Sequence, residues 1–277
     1  MTEAALQAKL DALKRAITGM GSIMVAYSGG VDSTFVAAMA HDLLDGRALA
    51  ITGVSPSVPA SEVEQAKELA RHIGIAHELI ETREMDDPNY VANTPDRCFH
   101  CKDGLYGRLT AMARERGFDC VADGCNLDDT GDFRPGRRAA ARHTVHSPLV
   151  EAGLTKEDIR ALSRERGLPT WNKPAMACLS SRIPYGTPVT VEALGRIEEA
   201  EACLRSLGLR QLRVRHHDDV ARIETDEPGL ELLIARRAEV VERLKALGYL
   251  YVTLDLAGYR SGSLNAALGP IQGQVRR

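Results

Sequence analysis

Apolar residues in the N-terminal half of the chain fall into short runs, and segments of helical periodicity separate these runs. The runs predict buried strands at residues 22–27, 48–54, 77–81 and 118–122. The intervening periodicity predicts helices at 34–44, 60–72 and 102–116, and Thr155 and Asp158 have the spacing of a capping box that opens a further helix. Alternating strands and helices predict an α/β fold over residues 1–168, with a parallel sheet and helices on both faces.

The pattern changes after residue 168. Residues 169–190 contain four prolines, a glycine and Cys178, which is typical of a functional loop or a linker. Beyond it, the periodicity predicts helices at 191–207 and 230–247 and strands at 212–216, 220–224 and 249–254. This order predicts a second, smaller α+β domain over residues 191–277.

Composition and charge narrow the class of protein. A chain of 277 residues is long enough for two domains. The net charge of −3 gives no electrostatic footprint for nucleic acid, so nucleic acid is not the expected partner. The N-terminal segment lacks the features of a signal peptide, and no apolar run approaches the ~20 residues that cross a bilayer. We therefore expect a cytoplasmic protein with no membrane partner.

The segment with the most chemical information joins the first strand to the first helix that follows it. It has the sequence Ser28-Gly29-Gly30-Val31-Asp32-Ser33. Glycines let the backbone approach a ligand, and a helix N-terminus presents free N–H groups and a positive dipole end to an anion. The segment ends without the Gly-Lys-Ser/Thr of a Walker A loop. A phosphate site of another type is predicted, and the alternative is a structural glycine turn.

A second polar segment, residues 123–138, follows the fourth predicted strand. Ligands in open α/β sheets bind beyond the carboxyl ends of the strands, so this position suits a site. Carboxylates there could complete a magnesium site, and arginines could neutralise phosphate. The candidates are Asp123, Asn126, Arg134 and Arg137, and the alternative is a solvated charged loop.

Six cysteines in a chain expected in a reducing compartment favour metal binding or catalysis over disulfides. Cys98 and Cys101 form a single C-x-x-C, which fits a redox pair, half of a zinc site or two buried thiols. Cys178 is the leading candidate for a third member. Three thiolates can hold three irons of a [4Fe–4S] cluster and leave the fourth open to hydrosulfide. Cys120 and Cys203 are expected in the core. The role of Cys125 is undecided.

The glycine loop resembles the S-G-G-x-D-S loop of the PP-loop ATP pyrophosphatases, or adenine nucleotide alpha hydrolase-like proteins. This resemblance implies ATP cleavage to AMP and pyrophosphate. It also implies that Asp32 binds Mg²⁺, and that the phosphates are held by Ser28, Gly29, Gly30 and Ser33.

A narrower resemblance covers nearly the whole chain. The motifs SGGVDS, NTPDRCFHCK, FRPGRRA, WNKPAMACLSSRIPYG, RVRHHDDVARIE and YVTLDLAGYRSG resemble those of the LarE family. The resemblance implies ATP-dependent replacement of carboxylate oxygen by sulfur on pyridinium-3,5-biscarboxylic acid mononucleotide, the precursor of the nickel-pincer nucleotide cofactor. It also implies a homo-oligomer. The substrate would meet Arg182, Arg213, Arg215, Glu224 and Arg260, although exposed arginines without this role are the alternative for each.

The family uses two sources of sulfur. In the sacrificial form a protein cysteine becomes dehydroalanine, and that cysteine stands three positions before Ser-Ser-Arg, where this chain has Ala177. Because Cys98 and Cys101 are absent from that form, we expect the cluster form here, with a sulfide source that stays open. Sacrifice of Cys178 is the alternative within the family. Outside it, the alternatives are thiolation of tRNA, amidation as in NAD or GMP synthesis, and an iron-sulfur carrier.

Overall fold

A computed structural model describes residues 2–131, 135–174, 177–260 and 262–264. The chain forms two compact units. One comprises Met1–Asp87 and Asp96–Met176, and the other comprises Pro88–Pro95 and Ala177–Arg277. The division falls inside the proline-rich segment 169–190. The short segment Pro88–Pro95 joins the second unit, which the alternation of strands and helices does not reveal.

The first unit contains the parallel sheet that the sequence predicts. Its described strands are β1 Ile23–Ala26, β2 Ala48–Val54, β3 Ala76–Glu81 and β4 Cys120–Ala122, in the order β3-β2-β1-β4. Every described pairing in this sheet is parallel. The α/β prediction is therefore confirmed.

The described helices of the chain, in order, are α1 Glu3–Gly19, α2 Val31–Leu44, α3 Ala60–Ile73, α4 Pro88–Val91, α5 Arg97–Arg116, α6 Gly136–Arg142, α7 Pro148–Glu151, α8 Lys156–Glu165, α9 Val191–Ser206, α10 Glu227–Ala235 and α11 Arg237–Ala246. The capping box predicted at Thr155 is formed, with Asp158 as its reciprocal partner. No described helix is long and apolar enough to cross a membrane.

Alternation along β1 divides the apolar residues of the first unit between two cores. Ile23 and Val25 belong to the core that contains Phe35 of α2. Met24 belongs to a second core, which contains Tyr106 and Leu109 of α5. Because successive side chains of a strand point to opposite faces, helices cover both faces of the sheet.

The second unit has a smaller mixed sheet. Its described strands are β5 Leu212–His217, β6 Val220–Thr225 and β7 Tyr251–Leu254. β5 and β6 are antiparallel, whereas β6 and β7 are parallel. The single helix predicted at 230–247 is two helices, because Arg236 between α10 and α11 has φ −105° and ψ 21°, outside the α-helical region.

Candidate active site

The glycine loop lies between the carboxyl end of β1 and the N-terminus of α2. Gly30 is the N-cap of α2, and no side chain caps this end of the helix. The Ser28 and Ser33 hydroxyls lie 3.1 Å apart, and the Ser28 backbone N–H donates to Ser33 Oγ. The uncapped N–H groups and the two hydroxyls form a cradle of donors, which is the arrangement that binds phosphate.

Two glycines, Gly29 and Gly124, allow the backbone of this cradle to pack closely against the neighbouring segments. Gly29 has φ +68°, a conformation that L side chains rarely adopt, and a Cβ there would lie 3.1 Å from the backbone of Ala66. Gly124, just after β4, approaches α2 so closely that a Cβ would lie 2.7 Å from Ser33 N. Because β4 pairs with β1 in the sheet, the segment after β4 packs directly against the cradle.

Asp32 is the carboxylate within the cradle. Its Oδ2 accepts a 2.5 Å hydrogen bond from Lys156 Nζ, whereas its buried Oδ1 has no hydrogen-bond partner of good geometry. Burial raises the pKa of Asp32, and nearby Asp129 adds to this effect, while Lys156 and the side chain of Asn126 oppose it. A buried carboxylate oxygen left without a donor fits a ligand of a hard cation such as Mg²⁺.

Two lysines that the sequence analysis missed approach the loop. Lys156 reaches Asp32 from the first turn of α8. Lys173 Nζ lies 3.3 Å from Gly29 O and 2.7 Å from Glu62 Oε2. The helix N-terminus favours an anion here, and the two lysines, each paired with a carboxylate, place further N–H donors beside it. Both lysines are distant in sequence from the loop, so no local motif marks them.

Asp123 and Asn126 brace the segment that follows β4. Asp123 accepts hydrogen bonds from Cys125 N and Ser147 Oγ on Oδ1, and from Tyr106 Oη on Oδ2. Asn126 Oδ1 accepts from the backbone N–H groups of residues 128 and 129. Both side chains are buried. These contacts stabilise the loop that packs on the cradle.

The segment that follows β4 also contains the two predicted arginines, Arg134 and Arg137. Arg137 is exposed, and its Nη1 lies 3.4 Å from Thr130 O. Arg134 lies outside the described residues.

Cys98 and Cys101 lie one turn apart in the first turns of α5, Cys98 exposed and Cys101 half-buried. Their spacing places both thiols on one face of the helix. Cys178 belongs to the other unit and is half-buried. Within the part of the chain that the structure describes, no group of three or more His, Cys, Asp or Glu side chains is arranged to hold a metal ion.

Two of the remaining cysteines have thiols that resist ionisation. Burial raises the pKa of Cys120 to about 11, with a contribution from Asp119, and Cys120 packs against the core of the first unit. Burial also raises the pKa of Cys125 to about 11, with Asp123 and Asp129 adding to the effect. Cys203 packs against the core of the second unit.

The backbone at Cys178 is held by a buried ion pair. Arg182 and Glu201 are both fully buried and form two hydrogen bonds of 2.8 and 3.0 Å. Arg182 Nη1 donates to the carbonyls of Ala177 and Cys178, at 2.6 and 3.0 Å. Arg182 therefore shapes the chain around this cysteine.

Arg213 and Arg215 lie on one face of β5, and both are buried. Arg215 donates to Glu224 Oε2 at 2.7 Å and to Ser181 O at 2.7 Å. Arg213 packs over the ring of Tyr259. Burial and the neighbouring guanidinium of Arg182 lower the pKa of Arg213, as expected where positive charges are concentrated.

The remaining predicted residue, Arg260, follows β7 and is exposed. Glu201 was not foreseen from the sequence. It lies inside the amphipathic pattern of α9, and a glutamate at a buried helix position is the one signal that could have drawn attention to it.

Comparison with known proteins identifies the family of this chain. The asparagine synthase family model matches residues 6–109. Uncharacterized protein slr1717 of Synechocystis sp. is 46% identical over 265 residues, which cover 95% of this chain and 99% of that protein. Pyridinium-3,5-bisthiocarboxylic acid mononucleotide synthase of Lactiplantibacillus plantarum is 39% identical over 271 residues, which cover 97% of this chain and 98% of that protein.

A more distant similarity is limited to part of the chain. The tRNA-specific 2-thiouridylase MnmA of Thermus thermophilus is 27% identical over 196 residues, which cover 56% of this chain and 53% of that protein. In contrast, the similarity to the mononucleotide synthase extends over both units. The chain therefore belongs to the LarE family, that of the pyridinium-3,5-bisthiocarboxylic acid mononucleotide synthases.

Proposed function

We propose that this chain uses ATP to replace carboxylate oxygen by sulfur on pyridinium-3,5-biscarboxylic acid mononucleotide, in the biosynthesis of the nickel-pincer nucleotide cofactor. The observation that carries the proposal is the glycine loop with its free carboxylate oxygen, in a chain similar over its whole length to a synthase of the bisthiocarboxylic product. The loop provides the site for ATP. The acceptor is inferred from the product of the Lactiplantibacillus plantarum synthase, a bisthiocarboxylic acid mononucleotide.

The first half-reaction makes the carboxylate reactive. The uncapped N-terminus of α2, with Ser28 and Ser33, binds the phosphates of ATP, and Lys173 adds a positive charge next to Gly29. A substrate carboxylate oxygen attacks the α-phosphorus, pyrophosphate leaves, and the acyl adenylate remains. Mg²⁺ held by Asp32 would neutralise charge on the phosphates as pyrophosphate departs.

The arginines of β5 are suited to the mononucleotide phosphate. Three buried guanidinium groups lie near one another in this unit, those of Arg182, Arg213 and Arg215. Positive charges concentrated in this way favour an anionic ligand. We propose that Arg213 and Arg215 bind the phosphate, and that Arg260 and Glu224 complete this site.

We propose that Cys98, Cys101 and Cys178 handle the sulfur as three thiolate ligands. Cys98, which is exposed, and Cys101, which is half-buried, lie one turn apart on α5 and fit two adjacent ligand positions. A [4Fe–4S] cluster held in this way would leave one iron open to carry the sulfur that is transferred. Sulfide (HS⁻) would attack the activated carbonyl and AMP would leave with the carboxylate oxygen, so that a thiocarboxylate remains. A second round acts on the other carboxylate.

The most direct test is anaerobic turnover of the reconstituted protein with the biscarboxylate mononucleotide, ATP, Mg²⁺ and sulfide. The proposal predicts AMP and pyrophosphate in step with thiocarboxylated product, identified by mass spectrometry. The partial similarity to tRNA 2-thiouridylases makes tRNA the competing acceptor. Sulfur incorporation into tRNA with none into the mononucleotide would overturn the proposal.

A further inference from the structure

Lys156 forms an ion pair with Asp32, the carboxylate proposed above as a ligand of Mg²⁺. Its Nζ lies 2.5 Å from Asp32 Oδ2, while Asp32 Oδ1 stays buried without a partner. The ion pair is partly buried, with side-chain exposures of 32% for Lys156 and 19% for Asp32. One ammonium therefore satisfies only half of a carboxylate that lies in the phosphate cradle.

The backbone of Lys156 is held by several contacts, whereas about a third of its side chain is exposed to solvent. The Lys156 N–H donates to Asp128 Oδ2 at 2.8 Å, and the Thr155–Asp158 capping box holds the start of α8. Lys9 Nζ further anchors Asp158, at 2.7 Å. These contacts position the root of the Lys156 side chain, whereas the ammonium has only Asp32 as its partner among the contacts described.

The charges at this position explain why a lysine suits it. Asp32 is partly buried, and a negative charge in such a position is costly unless a cation pairs with it. The Lys156 ammonium supplies that cation without closing the site, because a lysine side chain can swing away on its flexible stem. A divalent cation bound to Asp32 would supply the compensating charge in place of the lysine.

We propose that Lys156 is a stand-in cation that holds Asp32 ready for Mg²⁺, is displaced when the metal enters with ATP, and then faces the polyphosphate at the N-terminus of α2. This inference rests on the proposed use of Mg²⁺ and ATP. It assigns Lys156 two opposite effects, since the lysine competes with the metal but assists the nucleotide. A lysine that only stabilised the fold would support both kinds of binding or neither.

The test compares wild type with Lys156→Met, using Mn²⁺ alone as the probe because it shares the preference of Mg²⁺ for oxygen ligands. Free Mn²⁺ is counted by electron paramagnetic resonance, and ATP binding in Mg²⁺ is measured by calorimetry. We expect Lys156→Met to bind Mn²⁺ roughly tenfold more tightly and ATP roughly tenfold more weakly, the ratio that one pKa unit of interaction represents. Lys14→Met is the matched control, since it removes an exposed lysine–aspartate pair on α1 that has no part in holding Lys156.

The outcomes separate this inference from the function on which it rests. Mn²⁺ binding that is equal in wild type and Lys156→Met, weaker in the variant or absent from both overturns the stand-in role, even if AMP is still formed. Wild type that forms no AMP overturns the proposed function instead. Asp32→Asn should abolish the gain in Mn²⁺ affinity when combined with Lys156→Met. If the gain persists in that double variant, the metal binds elsewhere and the inference is wrong.

Discussion

Asp32 and Asp123 are both carboxylates at the carboxyl end of the parallel sheet, but their surroundings differ. Asp123 accepts three hydrogen bonds within the protein, so its oxygens are already satisfied. Asp32 has one buried oxygen without a hydrogen bond of good geometry, although the Asn126 side chain lies near enough to act on this carboxylate. A satisfied carboxylate braces the structure, whereas an unsatisfied one is available to a ligand. The two residues should therefore respond differently to the same change from Asp to Asn.

We expect Asp32→Asn to lower ATP cleavage by about two orders of magnitude or more, because it removes a negatively charged ligand at the reacting phosphates. Its thermal midpoint should stay near that of wild type, since the Asp32–Lys156 ion pair that it breaks is partly exposed to solvent. Asp123→Asn should instead destabilise the fold by roughly 1–3 kcal/mol, because donors that Asp123 satisfies lose their acceptor. AMP release and thermal unfolding measure the two effects. Equal loss of AMP release in both variants would contradict this division.

Glu201 gives the clearest pH dependence in the second unit. Burial alone would raise its pKa, but hydrogen bonds and charge from Arg182, with help from Arg205 and Val214 N–H, hold that pKa below its ordinary value. A lowered pKa in the folded state stabilises the fold above the unfolded value near 4.5, and this contribution is lost as pH falls through the lower folded value.

We therefore expect Glu201→Gln to destabilise the second unit by roughly 3–5 kcal/mol at neutral pH, because the Arg182 charge remains buried without its partner. The difference from wild type should shrink as pH falls below the ordinary value of 4.5 and through the lower pKa of the folded state, because wild type loses the same contribution there. Urea unfolding at several pH values measures this. A difference that does not change with pH would show that the pair is not the cause.

At the scale of elements, the joint between β4 and α2 depends on the absence of a side chain at Gly124. A Cβ at this position would lie 2.7 Å from Ser33 N, an atom of the backbone that cannot swing aside. We expect Gly124→Ala to push the N-terminus of α2 out of position and to weaken ATP binding by about tenfold or more. Gly19→Ala is the control, since a Cβ there has open space. Calorimetry with ATP should show a loss only in Gly124→Ala.

The parallel sheet could be predicted because each strand and helix carries its own local pattern. Local pattern does not predict the break at Arg236 or the placement of Pro88–Pro95 in the second unit, because both depend on tertiary contacts. In the site, the glycine loop could be predicted from the spacing of its glycines and serines between a strand and a helix. Lys156 does not, because its partner Asp32 is 124 residues away and only the packing of α8 against α2 brings them together.

At the scale of the whole molecule, the six cysteines differ in what they can do. Cys98 and Cys101 are accessible on α5, whereas the Cys120 thiol has a pKa of about 11 and packs on the core. Iron binds thiolates, so a buried thiol with a raised pKa, such as that of Cys120, is a poor ligand. We expect Cys98→Ala/Cys101→Ala to lose iron and sulfide after anaerobic reconstitution, while Cys120→Ala retains both. Iron analysis and the visible absorption spectrum measure the content, and retention of a full cluster by the double variant would contradict the assignment.

We propose that this chain transfers sulfur to an ATP-activated carboxylate and that its Cys178 is not consumed in the reaction. The most direct test counts thiocarboxylated product per protein chain under anaerobic conditions with excess sulfide, and then measures the mass of the peptide that contains Cys178. The account predicts several products per chain, with AMP formed in step and Cys178 intact. One sulfur transferred per chain, with conversion of Cys178 to dehydroalanine and no iron bound, would contradict it.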